Sequence, residues 1–174
     1  MGLLKILSAF CIFITSSAIG FSYGQTFSLR FENLLYLEHC IKILETEIVY
    51  GATPLPEALA NVKKKGKPRV SFIFDDIRRD LISNKREAIY HSFLTVEEKL
   101  HHRLHLKKED IEIFFSLGRV LGSSDREDQS KIFKIVLAQL EGQLDEAKLE
   151  KNQNAKLYRS LGIITGLGII ILLI

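Results

Sequence analysis

Two apolar runs bound this chain, and they constrain its fold more than anything between them. The first, LLKILSAFCIFITSSAIGFSY, covers about 21 residues from Leu3 to Tyr23 with one charge, Lys5. As a helix it spans roughly the 30 Å hydrocarbon core of a bilayer. The second closes the sequence as LYRSLGIITGLGIIILLI. From Leu161 to Ile174 it gives only about 21 Å of helix, so a spanning helix must begin near Ala155. Lys156 and Arg159 then snorkel toward the headgroups, and Tyr158 sits at the interface. A segment apolar all round has no solvent face to offer as an ordinary surface helix. For the first run the rival is a cleaved signal peptide, with small residues Ser16, Ser17 and Ala18 near its end.

Charge is confined to the stretch between the runs. Of 24 Lys and Arg residues only Lys5 lies outside Arg30–Arg159, and all 21 acidic residues lie inside it. The middle is therefore close to neutral, which excludes the strongly basic face of a nucleic-acid binder. Lys148, Lys151, Lys156 and Arg159 precede the second run, and Arg30 and Lys42 follow the first. That bias predicts a cytoplasmic central domain with both termini on the other side of the membrane. The layout is residues 1–25 as an N-terminal transmembrane anchor, 26–154 as a cytoplasmic helical bundle and 155–174 as a C-terminal transmembrane anchor. Ser16 with Gly20, and Gly162 with Gly166, place small residues four apart on each anchor, the spacing that lets helix backbones approach closely.

The middle reads as all-α, a six-helix bundle. Leu34, Leu37, Ile41, Leu44 and Ile48 form a helical stripe ending at Gly51, taken as a C-cap. Thr53 and Pro54 read as an N-cap and first helical residue, followed by Leu55, Ala58, Leu59 and Val62. Gly66 and Pro68 break the chain before a stripe of Val70, Ile73, Phe74, Ile77 and Leu81. Ile89, Phe93, Val96 and Leu100 make a fourth, and Ile111, Phe114, Leu117 and Leu121 a fifth, stopped by Gly122. The sixth opens on Ser124-Asp125-Arg126-Glu127, a capping box, and carries Phe133, Val136, Leu140, Leu144 and Ala147. No proline interrupts it from there into the second apolar run. Each one-sided stripe must bury against the others.

Chemistry-bearing patterns are sparse. His101 and His105 lie one helical turn apart beside His102, but HExxH is absent and a solvated helix end explains them without zinc. Cys11 and Cys40 form no CxxC pair or disulfide framework. No phosphate loop or nucleophile elbow occurs, so no cofactor or catalytic residue is expected. Lys63, Lys64, Lys65, Lys67 and Arg69 make a basic segment that reads either as a solvated connection or as a contact for anionic headgroups. Glu45, Glu47 and Glu57 flank the Gly51–Pro56 turn, and Asp125, Glu127 and Asp128 open the last helix. Loops held by a rigid bundle are frequent contact sites, which makes these six acids candidates for partner docking.

Three stretches are more specific than periodicity: TEIVYGATPLPEAL, LGRVLGSSDREDQSKIFKIVLAQLE and LYRSLGIITGLGIIILLI. Together they resemble the stage III sporulation protein AB family of endospore-forming bacteria, over the whole anchor–domain–anchor length. Gly51, Pro54, Leu55, Ala58, Leu59 and Gly122 also resemble the cytoplasmic domain of the type II secretion inner-membrane platform protein. The resemblance implies a non-catalytic scaffold of the channel between mother cell and forespore, in the mother-cell membrane around the forespore. It implies as partners a secretion-type ATPase, stage III sporulation protein AA, and other membrane proteins of the channel. The Lys63–Arg69 and HHRLH segments lie outside the recognised pattern. Other classes remain open on the residues alone: an adaptor of an unrelated complex, an exported single-anchored binding domain, or a metal-dependent membrane hydrolase using His101 and His105.

Overall fold

In the computed structural model of the chain, the structure describes residues 2–83, 88–121 and 126–173, with side chains placed from residue 10 onward except at 126–127, 155, 159, 170 and 172–173. These residues form six α-helices and no strand: α1 (Gly2–Glu45), α2 (Leu55–Lys65), α3 (Pro68–Ser83), α4 (Ile89–Leu94), α5 (Lys108–Val120) and α6 (Arg126–Leu173). Two five-residue π-helical turns, Thr46–Tyr50 and Lys99–Arg103, follow α1 and α4. Gly122 and the Ser124–Asp125 part of the expected capping box lie outside the described residues, as does the Glu127 side chain. Among the described residues no helix is long and apolar enough to cross a membrane. The spanning character of the apolar runs is therefore a matter of proposal rather than of the fold.

Contacts gather the chain into two units, residues 32–145 and residues 1–31 with 146–174. In the 32–145 unit the expected stripes are the core. Leu34, Leu37, Ile41 and Leu44 are fully buried, as are Ala58, Leu59, Val62, Val70, Ile73, Phe74 and Ile77. Burial of each large side chain removes apolar surface from water and contributes about 1.5–3 kcal/mol. Phe74 meets Phe114 edge-on at 5.8 Å between ring centroids, and Phe93 lies 5.2 Å from Phe114. Gly118 makes room for that cluster: a Cβ there would come within 2.6 Å of the Phe93 ring.

Local chemistry departs from expectation at two places. The fourth stripe is not one helix, because α4 stops at Leu94 and Leu100 is carried by a π-helical turn. Val96, in the turn after α4, and Leu100, in the π-helical turn, are both buried across this break in the α-ladder. Thr53 does not cap α2. Its hydroxyl donates to Glu47 Oε2 at 3.1 Å, while the Pro54 carbonyl accepts the Ala58 amide at 2.9 Å. The cap assignment fails because α2 begins one residue later than expected, at Leu55, which puts Pro54 at the N-cap position.

Candidate functional site

The 1–31 and 146–174 unit is a pair of helical segments in close contact. Ser16 Oγ donates to the Gly162 carbonyl at 3.0 Å. A Cβ on Gly20 would meet Gly162 Cα at 2.8 Å, and one on Gly166 would meet Phe13 at 3.2 Å. The structure thus brings Ser16, Gly20, Gly162 and Gly166 to one helix–helix seam, with the backbones at Gly20 and Gly162 too close for a larger side chain. Next along this seam, the rings of Tyr23, Phe27 and Tyr158 cluster with centroids 4.9 to 6.2 Å apart. Beyond them Lys151 lies over the Phe31 ring at 5.0 Å, and buried Arg30 pairs with Glu150 at 2.7 Å. The outer faces are otherwise greasy: Phe10, Ile14, Ile19, Phe21, Ile164 and Leu167 are all exposed.

In the 32–145 unit the turn after α1 is organised by Glu47. Although Glu45 and Glu57 keep exposed or half-exposed positions, Glu47 is buried. Its carboxylate accepts hydrogen bonds from Lys65 Nζ at 2.6 Å, Asn61 Nδ2 at 2.9 Å and the Thr53 hydroxyl. The Lys65 hydrogen bond lowers its pKa most, that from Asn61 adds to it, and burial opposes the two without reversing them. Glu47 is therefore spent on holding the turn together. Gly51 belongs to the same knot through close approach, since a Cβ would meet the Glu47 carbonyl at 2.8 Å. The left-handed backbone falls on the next residue, Ala52, with φ 52°.

Of the remaining docking candidates, Asp128 is exposed and lies 3.4 Å from Lys131, whereas Asp125 and Glu127 fall outside what is described. The six acids do not form one described cluster. A cleft of about 670 Å³ opens instead near α4, the second π-helical turn and α5, lined by Leu94, Ile111, Glu97, Glu98, His101 and Lys108 among others. His101 and His102 stand edge to face at its side. Among the described residues no group of three or more His, Cys, Asp or Glu side chains is placed to hold a metal ion.

Sequence reasoning missed three buried polar groups that set the architecture. Asn33 Nδ2 donates to the Leu104 carbonyl at 2.8 Å, tying α1 to the end of the π-helical turn. Asp110, fully buried, accepts the Lys107 amide at 2.9 Å at the start of α5. Arg30 is almost fully buried against Glu150. Asn33 had a signal, since it stands four residues before Leu37 on an apolar face. The Arg30 partner, far along the chain, had none.

A helical bundle and a seam of glycine-packed apolar helices define an all-α protein. The chain belongs to the stage III sporulation protein AB family, whose model matches residues 5–174. It is similar to stage III sporulation protein AB of Bacillus subtilis (strain 168), 30% identical over 171 residues that cover 98% of this chain and 99% of the relative. A solved structure of a stage III sporulation protein AB is similar as well, with a TM-score of 0.64 at 28% identity, covering 72% of this chain and 98% of that one. The family is one of structural sporulation proteins, and this chain is a protein of sporulation.

Proposed function

We propose that this protein is a non-catalytic membrane platform of the channel joining mother cell and forespore. On this reading both apolar runs span the mother-cell membrane around the forespore, the bundle faces the cytoplasm, and the protein couples a secretion-type ATPase, stage III sporulation protein AA, to its membrane partners. The observation that carries it is the glycine seam with its apolar outer faces. Side chains such as Phe10, Ile14, Ile164 and Leu167 point away from that seam, exposed. Water rejects such a surface, and hydrocarbon does not. The runs in the sequence reach from Leu3 and to Ile174, beyond the side chains described, and so attain spanning length. The Tyr23, Phe27 and Tyr158 cluster then falls where aromatic side chains concentrate, at the headgroup level.

Coupling requires no chemistry in this chain, only contacts that differ between two states of a partner. With Glu47 engaged in the turn, the docking acids of this reading are Glu45 and Glu57 beside the Gly51 turn, together with Asp125, Glu127 and Asp128 where the last helix opens. Two experiments test it. Protease added outside spheroplasts leaves residues 30–159 intact if the bundle is cytoplasmic, and their digestion while cytosolic controls survive overturns the topology. Crosslinking from sporulating cells recovers the ATPase with wild-type protein and loses it with Glu45→Lys/Glu57→Lys. Recovery unchanged by that double variant removes the docking assignment.

A further inference from the structure

The acidic cleft near α5 and the basic turn between α2 and α3 are complementary in charge, and each carries side chains that form no ion pair with a described residue. Glu97 and Glu98 are exposed at the cleft and form no ion pair with a described residue. Its apolar lining is Leu94 and Ile111. Glu112 also lines it, shared with Arg119 at 3.2 Å, and Lys108 is its one lysine. The basic turn is less free than its sequence suggests. Lys65 is held by Glu47 at 2.6 Å and Arg69 by Glu32 at 3.1 Å. That leaves Lys63, Lys64 and Lys67, which form no ion pair with a described residue; Lys64 and Lys67 are exposed.

The turn that carries them is rigid. The Gly66 amide donates to the Val62 carbonyl and the Ser71 amide to the Lys67 carbonyl, both at 2.8 Å. Ser71 Oγ donates to the Lys63 carbonyl at 3.2 Å. Gly66 itself is pressed against Cys40, where a Cβ would approach Sγ to 2.7 Å. A turn fixed in this way loses little entropy on docking.

We propose that this cleft is a self-association site, in which the Lys63–Lys67 turn of a second copy of this chain enters between Glu97, Glu98 and Glu112. The inference goes beyond the platform function and does not rest on it. The two surfaces are different patches, so the contact is heterologous and propagates to rings or open chains rather than stopping at a dimer. A single turn in a cleft of this size buries less than a standard interface, and the contact is weak, salt-sensitive and dependent on concentration.

Sedimentation of the full chain in a density-matched detergent tests it. Wild-type protein grows beyond a dimer with concentration at low salt and returns to monomer near 0.5 M salt, where the Debye length is only about 4 Å. Glu97→Lys/Glu98→Lys opposes a basic cleft to a basic turn, and Lys64→Glu/Lys67→Glu opposes an acidic turn to an acidic cleft. Each double variant alone associates at least about tenfold more weakly. Mixed in equal amounts they associate again, because every turn then finds a cleft of opposite sign; this also shows that both are folded. A wild-type chain that stays monomeric, or a mixture that fails to reassociate, overturns the proposal. So does a Lys64→Glu/Lys67→Glu protein that self-associates normally but no longer binds vesicles containing phosphatidylglycerol, an outcome that assigns the turn to the bilayer.

Discussion

The Lys65 ammonium stands 2.6 Å from the Glu47 carboxylate, closing the turn between α1 and α2 from the far end of α2. Because Lys65 is largely exposed and Glu47 is not, the carboxylate is the member whose loss matters more. Its lowered pKa fixes the sign of the pH dependence. An acid whose folded pKa lies below its unfolded value near 4.3 stabilises the fold fully above that value, and the contribution is lost as pH falls through the folded pKa. Glu47→Gln should therefore melt below wild type at pH 7, and the gap should close in acid. Thermal melts of both proteins from pH 7 to pH 3 check it; a gap independent of pH would contradict the assignment.

Ala52 holds φ 52°, a left-handed conformation that costs a residue with a Cβ roughly 1–2 kcal/mol. Ala52→Gly relieves that strain, and the greater freedom of glycine in the unfolded chain takes part of the gain back. The net expectation is stabilisation by about 0.5–1 kcal/mol, read as a higher melting temperature. Gly51→Ala, one residue earlier, should do the opposite, because its Cβ has the Glu47 carbonyl in its way.

Cys40 is fully buried beside Gly66, and burial pushes its thiol up to about 12 despite a backbone hydrogen bond at Lys67 that pulls the other way. At pH 8 it is neither a thiolate nor accessible. In a Cys11→Ala background, alkylation by iodoacetamide should be negligible in the folded protein and complete in denaturant. Prompt labelling of the folded protein would place Cys40 at the surface.

How much of this was legible in sequence depends on the range of the interaction. The stripe Leu34, Leu37, Ile41, Leu44 was readable because a helix turns its own residues to one side, whatever it packs against. Nearly every residue assigned to a stripe is buried. The small residues at positions 16, 20, 162 and 166 were readable as a spacing, but not the register that sets Gly20 on Gly162. That register belongs to two helices far apart in the chain. Glu47 looked like a surface acid for the same reason: Asn61 and Lys65 reach it only once α2 has folded back. Thr53 was misassigned because α2 starts one residue later, with Pro54 at its N-cap position, and a boundary shift of one residue is not fixed by the local residue types.

The seam itself distinguishes two glycines of the last helix. Gly162→Leu drives a side chain against Gly20 Cα and the Ser16 carbonyl, both 3.0 Å from its Cβ position, whereas Gly168 has nothing within 4 Å. Overpacking of this kind costs about 1–3 kcal/mol, and here the obstacle is backbone that cannot rotate away. The Gly162→Leu chain in detergent should lose thermal stability, and Gly168→Leu should match wild type. Equal behaviour of the two variants would mean that the segments do not meet at this register.

Gly118 and Phe93 test the core of the bundle in a way that can be reversed. A Cβ on residue 118 would lie 2.6 Å from Phe93 Cγ, 2.9 Å from Cδ2 and 3.0 Å from Cβ. The ring cannot swing clear, since it is fully buried and already packed on Phe114. Gly118→Ala should therefore destabilise by about 1–3 kcal/mol even though alanine favours helix over glycine by about 1 kcal/mol. Phe93→Ala alone removes the buried ring and leaves a void, which is destabilising too. When the two changes are combined, the smaller side chain at position 93 gives the added methyl at position 118 somewhere to go. The double variant should then be more stable than the sum of the two single losses predicts, and denaturant titration of all four proteins measures that coupling. Strict additivity would show that residues 93 and 118 do not touch.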